Sequence, residues 1–309
     1  MPSLLSAFVP IWLLTAAGWG AARSGVLGEQ AETVLGRFVF HIAMPASLLA
    51  MLARTPLRDL ADPSLLVFAA GTVAVSLAGL AASRFLFGRG PADQALGGMA
   101  AGYVNSANLG IPVAVQVLGN ASFVVAVVLF QVLAITPVIL ALLDAGTRRP
   151  DRSPVRDLLL LPLRNPIVLA SASGAALSAL HWRLPGVLSG SCTLLGQAAV
   201  PTALITLGMS LHGRRERLSS PEAAELTLTL ALKVLAQPAL AYVLGRWVVQ
   251  LTAPQLFAVV LCSALPTAQN VFVFAREYGR PTTLPRNAVV ASTVLSLATL
   301  SLIAWLLGP

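Results

Sequence analysis

The stretch Asn105-Ser106-Ala107-Asn108-Leu109-Gly110-Ile111-Pro112 stands in the middle of a long apolar run. Two asparagines, a glycine and a proline are costly at membrane depth, where lipid supplies no hydrogen bonds. Pro112 has no N–H, so a helix through it leaves the carbonyl of Asn108 without its usual donor. Such backbone survives inside a membrane only where it lines a protein-enclosed or watery cavity. A second break, Leu265-Pro266-Thr267-Ala268-Gln269-Asn270, lies in the other half of the chain. There Pro266 is expected to free the carbonyl of Cys262 in the same way. Interrupted segments paired across two halves point to the binding site of a secondary transporter.

Composition agrees with a membrane setting. Hydrophobic residues make up 57% of the 309 and charged residues only 10%, with a mean hydropathy of +0.82. Soluble domains carry about 25% charge, so an all-α polytopic membrane protein is expected. The net charge of +8 does not point to nucleic acid, because the basic residues sit in short clusters between apolar runs. Such clusters encode topology. Cys192 and Cys262 fall inside apolar runs, where cysteine behaves as a small hydrophobe, so no disulfide, metal site or cofactor is expected. An enzyme is not expected either: there is no HExxH, no pair of intramembrane carboxylates and no nucleophile–base set.

Apolar runs long enough to span lie near 3–22, 33–53, 64–87, 94–118, 121–143, 165–181, 189–211, 222–249, 255–276 and 286–307. The first lacks a basic leader and is read as a retained helix rather than a signal peptide. Pro10 and Gly18 recur as Pro166 and Gly174, and Pro45 as Pro201, each at an offset of 156. Pro112 and Pro266 stand 154 apart. Five spans, an odd number, make the second copy enter from the opposite side, so two inverted repeats are expected. They occupy residues 1–143 and 165–309, joined by a cytoplasmic loop, 144–164. Fifteen arginines, including Arg23, Arg37, Arg89, Arg148, Arg276 and Arg280, fall on one side of this arrangement. Only Arg54, Arg58, Arg183 and Arg246 fall on the other. The bias places both termini outside.

The residues at membrane depth define the chemistry. Asparagine amides both donate and accept, and half-helix N-termini carry partial positive charge, so the breaks suit a carboxylate. Asn105, Asn108, Gly110, Pro112, Pro266, Gln269 and Asn270 are therefore the candidate substrate-binding residues. Lys233 is the only lysine and stands near the centre of the eighth span. An intramembrane charge is functional by default. Lys233 would attract an anionic substrate, stand where a sodium ion would otherwise support the broken helices, or cap freed carbonyls structurally. His41, four residues before Pro45, reads first as a neutral histidine bonded to a backbone carbonyl, with proton coupling as the alternative. Arg276-Glu277 is expected to be a local ion pair or an interfacial anchor.

At these residues the chain resembles the auxin efflux carrier family, bacterial members of which are related to plant PIN-type carriers. The resemblance rests on Asn-x-x-Asn-x-Gly-x-Pro at Asn105–Pro112, Pro-x-Ala-x-Asn at Pro266–Asn270 and Ala275-Arg276-Glu277-Tyr278-Gly279. It implies a fold similar to bile-acid symporters and sodium–proton antiporters, with spans 1, 2, 6 and 7 as a scaffold and crossed, broken helices 4 and 9. The implied substrate is a small organic anion, an auxin-like weak acid or a dicarboxylate such as malate, moved by alternating access across the bacterial inner membrane. No acidic pair resembling the sodium ligands of those symporters is present. The alternative is an anion channel or uniporter using the same crossover. Beyond substrate and lipid, the expected partner is a second copy, packed through small-residue stretches such as Ala170–Ala176.

Overall fold

A backbone shielded from water has to satisfy its own N–H and C=O groups, so long apolar runs become helices. In the computed structural model the described residues are 2–54, 63–120, 122–147, 166–212 and 219–308, and they fold into helices throughout. These are α1 (Pro2–Ser24), α2 (Ala31–Leu52), α3 (Pro63–Phe85), α4 (Pro91–Gly102), α5 (106–117) and α6 (122–147). The second half holds α7 (Pro166–Ala179), α8 (Gly186–Ser210), α9 (Ser220–Val248), α10 (Ala253–Ser263), α11 (Asn270–Glu277) and α12 (Thr283–Leu307). Among the described residues, six helices are long and apolar enough to cross a membrane: α2, α3, α6, α8, α9 and α12. The apolar runs at 94–118 and 255–276 are each split, into α4 with α5 and α10 with α11. Of the predicted loop, residues 148–164 with Arg148, Arg149, Arg152, Arg156 and Arg164 lie outside the described residues. So do Arg58, Arg214, Arg215 and Arg217.

Prolines shape these helices by a repeated device. Wide π-type turns at Val39–Ala43, Ser106–Gly110, Gln131–Ile135 and Leu232–Ala236 each end two residues before a proline: Pro45, Pro112, Pro137 and Pro238. A proline ring crowds the preceding turn and offers it no N–H, and widening that turn makes room. The residue just before each proline then donates its N–H to a carbonyl five residues back: Met44 to Val39, Ile111 to Ser106, Thr136 to Gln131 and Gln237 to Leu232. His41, Asn108, Gln131 and Lys233 all stand in these turns. Pro45 thus marks a π-turn within a continuous α2.

Close glycine contacts between helices organise the packing, and two of them are related by the offset read in the sequence. At Gly18 in α1 a Cβ would lie 2.1 Å from the carbonyl oxygen of Ile205 in α8. At Gly174 in α7 it would lie 2.8 Å from Leu52 Cβ and 3.1 Å from the carbonyl oxygen of Leu49 in α2. Both pairs obey the same offset of 156, from 18 to 174 and from 49 to 205. The 154 spacing of the other two prolines has no such counterpart. Pro266 lies inside the second break, whereas Pro112 is the second residue of Ile111–Val117, beyond the first. Apolar cores close around the breaks on both sides: Phe68, Leu109, Leu129, Leu265 and Phe272 on one, Phe40, Met99, Leu140 and Phe274 on the other.

Candidate functional site

The two breaks meet. Val104 and Thr267 form an isolated antiparallel β-bridge. The N–H of Asn105 donates to the carbonyl of Pro266 at 2.8 Å, and that of Ala268 to the carbonyl of Tyr103 at 3.2 Å. Each break thereby supplies the partners that the other lost, which is how non-helical backbone is tolerated away from water. The carbonyl of Cys262, expected to be free, accepts instead from the N–H of Leu265 at 3.3 Å.

Side chains from the flanking helices take up the rest. Gln131 of α6 donates from Nε2 to the Val104 carbonyl at 3.1 Å and accepts from Ser106 Oγ at 2.8 Å. Gln237 of α9 donates to the Gly102 carbonyl at 3.0 Å and to Thr72 Oγ1 at 3.1 Å. Thr267 Oγ1 donates to the Ala100 carbonyl at 2.8 Å, and Ser292 Oγ receives the Thr267 N–H at 3.0 Å. Lys233 donates to Gln237 Oε1 and, at 3.4 Å, to the carbonyl of Ser263. Lys233 and Gln237 are both fully buried.

The result is a polarised crossover. α4 and α10 end there, and their negative C-terminal ends meet Gln237 at Gly102 and Lys233 at Ser263. α5 and α11 begin there, and their positive, N–H-bearing ends open on a cavity of about 90 Å³. A single water needs roughly 10–15 Å³ by this measure, so the cavity has room for several waters or one small molecule. Its polar wall carries Tyr103, Asn105, Ser106, Asn108, Gln269 and Asn270. Its apolar wall comes from α2 (Met44, Leu48, Met51), α6 (Val128, Val132) and α8 (Val200). The Tyr103 hydroxyl is held by Thr136 Oγ1 at 2.9 Å, with the Asn270 side chain also beside it. Gln269 is 2% exposed, and its Oε1 has no hydrogen-bond partner among the described residues. A buried acceptor left unpaired costs on the order of 1–3 kcal/mol, a cost that a bound hydrogen-bond donor would remove.

Of the residues singled out from sequence, the structure brings Asn105, Asn108, Gln269 and Asn270 onto one wall. Gly110 and Pro266 are not among the described lining residues. Gly110 allows a close approach, since a Cβ there would lie 2.9 Å from Leu265 Cδ1 and 3.1 Å from Val124 Cγ1. Pro112 is the second residue of the helix after the π-turn. Lys233 stands at the carbonyl ends and does not line the cavity. Among the described residues His41 bonds no backbone carbonyl. Its Nε2 meets Glu277 Oε1 at 2.8 Å, because α11 runs alongside α2. The expected local pair of Arg276 and Glu277 does not form either, since Arg276 pairs with Glu32 of α2. Gln131, Gln237 and Tyr103 were missed, although the lone glutamines in apolar runs, six residues before Pro137 and one before Pro238, were a legible signal.

Two interrupted helices joined at a polar cavity are an architecture of membrane transport proteins. The chain is a member of the membrane transport protein family, whose model matches residues 3–304, the family of the auxin efflux carriers that its motifs resemble. It is 25% identical to a putative malonate transporter of Rhizobium meliloti (strain 1021), over 99% of this chain and 97% of that one. It is 30% identical to an uncharacterized transporter of Methanothermobacter thermautotrophicus over 90% of each chain. A probable auxin efflux carrier component 5c of Oryza sativa subsp. japonica is 30% identical over 49% of this chain and 42% of that protein.

Proposed function

We propose that this protein is a secondary transporter that moves a small organic anion across the bacterial inner membrane by alternating access at the crossover. One observation carries the proposal: the Val104–Thr267 bridge holds the N-terminal ends of α5 and α11 on one cavity with Asn105, Asn108, Gln269 and Asn270. Free N–H groups and amide donors at two helix starts suit a carboxylate. The names of relatives, a malonate transporter and auxin efflux carriers, are those of carboxylic acid carriers, and the cavity volume favours a small acid. Ten spans in two inverted repeats, with both termini outside, complete the reading. The matched approaches of Gly18 to Ile205 and Gly174 to Leu49 support that symmetry.

The test is flux and binding with the purified protein in liposomes. Malonate loaded inside should accelerate uptake of labelled malonate, and the uptake should saturate. Asn108→Ala and Asn270→Ala should each weaken binding by roughly tenfold to a hundredfold, the worth of one hydrogen bond to a charged group. Non-saturating flux without trans-acceleration would identify a channel instead. Wild-type affinity in both variants would move the site elsewhere.

A further inference from the structure

α11 touches the cavity only at its start. Eight residues long, it carries the site roughly 12 Å away to Arg276 and Glu277. There it lies against the first half of α2. Arg276 pairs with Glu32 and donates from Nη2 to Thr33 Oγ1 at 2.9 Å. Glu277 accepts from or pairs with His41 at 2.8 Å. Phe40 packs edge-on against Phe274 at 5.7 Å and Tyr278 at 6.3 Å between ring centres. Arg276 lies over Gly36, where a Cβ would come within 2.9 Å of its Cδ. Glu32, Gly36 and Phe40 follow one another at i, i+4 and i+8, so the seam is a single ridge of α2.

We infer that this seam is a latch that closes one side of the cavity and must part in each transport cycle. The inference rests on the alternating-access reading above. α2 grips the far end of α11 with its first half and lines the cavity with its second, through Met44, Ser47, Leu48 and Met51. α11 starts at the cavity with Asn270 and ends in the seam with Glu277, so a shift of α11 at the site is a shift at the latch. The contacts suit a joint that reopens. The side chains of Arg276 and Glu32 are 21% and 28% exposed and those of His41 and Glu277 48% and 20%, so neither pair is sealed away, and ion pairs in reach of solvent are individually weak. Several weak contacts along one ridge hold a state that a modest change at the site can release. The seam lies on the arginine-rich side, with Arg37 and Arg280, so in the termini-outside topology it seals the cytoplasmic mouth.

A thiol at the cavity wall reads this directly. Ser47→Cys, with Cys192 and Cys262 replaced by alanine, is exposed to an impermeant thiol reagent from the cytoplasmic face of inverted vesicles. Breaking the seam by Arg276→Gln, or by His41→Gln with Glu277→Gln, should raise the labelling rate by about 1.5-fold to fivefold, the shift that one lost contact of this kind produces. The charge exchange Glu32→Arg with Arg276→Glu should return it towards the parent rate, which also excludes misfolding as the cause. Unchanged labelling in every variant, in a parent that still performs malonate counterflow, would overturn the latch and leave the carrier intact. Malonate flux through the parent that neither saturates nor shows trans-acceleration would overturn the carrier reading and the latch with it.

Discussion

At the scale of single residues, the crossover separates two kinds of polar group that look alike in sequence. Asn108 and Asn270 stand at helix starts and face the cavity, whereas Lys233 stands at a helix end and meets carbonyl and amide oxygens. We propose that Lys233 is kept for function, because its contacts and its desolvation oppose each other in stability. Removing its head group orphans the Ser263 carbonyl and Gln237 Oε1, each at about 1–3 kcal/mol. It also relieves the desolvation of a buried ammonium, which costs several kcal/mol and is not repaid here by a carboxylate among its described partners. Lys233→Met is therefore expected to keep or raise the melting temperature while malonate counterflow falls at least tenfold. A variant that melts earlier yet transports normally per folded molecule would make Lys233 a structural cap and nothing more.

At the scale of elements, the π-turns turn a liability of proline into a way of aiming side chains. One extra residue in a turn rotates what precedes it by about 100° relative to a regular helix. This rotation lets Gln131 reach the Val104 carbonyl and Lys233 the Ser263 carbonyl from neighbouring helices. Pro137→Ala and Pro238→Ala should thus have opposite local and global effects. Each restores a backbone N–H and removes a residue that disfavours helix interiors by about 3 kcal/mol. Yet a straightened α6 or α9 would carry Gln131 or Lys233 away from the crossover. The expected outcome is unchanged or higher helicity by circular dichroism with malonate affinity reduced about tenfold, and unaltered affinity would show that the turns do not set the site.

At the scale of the whole molecule, the proposed topology, drawn from the arginine asymmetry and an odd number of spans in each half, can be checked without any substrate. Cysteines introduced singly between 148 and 164, in a background with Cys192 and Cys262 replaced, should resist an impermeant thiol reagent in intact cells, while cysteines at either terminus react. Labelling of that loop with protected termini would reverse the orientation and with it the side that the latch closes. Two packing contacts accompany it: α1 rests on α8 and α7 on α2 through Gly18 and Gly174, contacts too close for any side chain.

Sequence alone determined that the chain is helical and membrane-bound, that helices break near Asn105–Pro112 and Pro266–Asn270, and that those breaks carry the polar chemistry. These are local consequences: apolar length dictates a spanning helix, and proline with asparagine at depth dictates an interruption, whatever surrounds them. What only the tertiary structure decided is who satisfies whom. Gln131 reaches the broken backbone from the next helix and Gln237 from one in the other half of the chain, Lys233 falls on the carbonyl side of the crossover rather than the cavity side, and Arg276 and Glu277 turn apart to Glu32 and His41. A side chain's partner depends on which helix lies beside it and on how a π-turn has rotated it. That rotation and that neighbour are set by packing across the whole assembly, and no spacing along the chain records them.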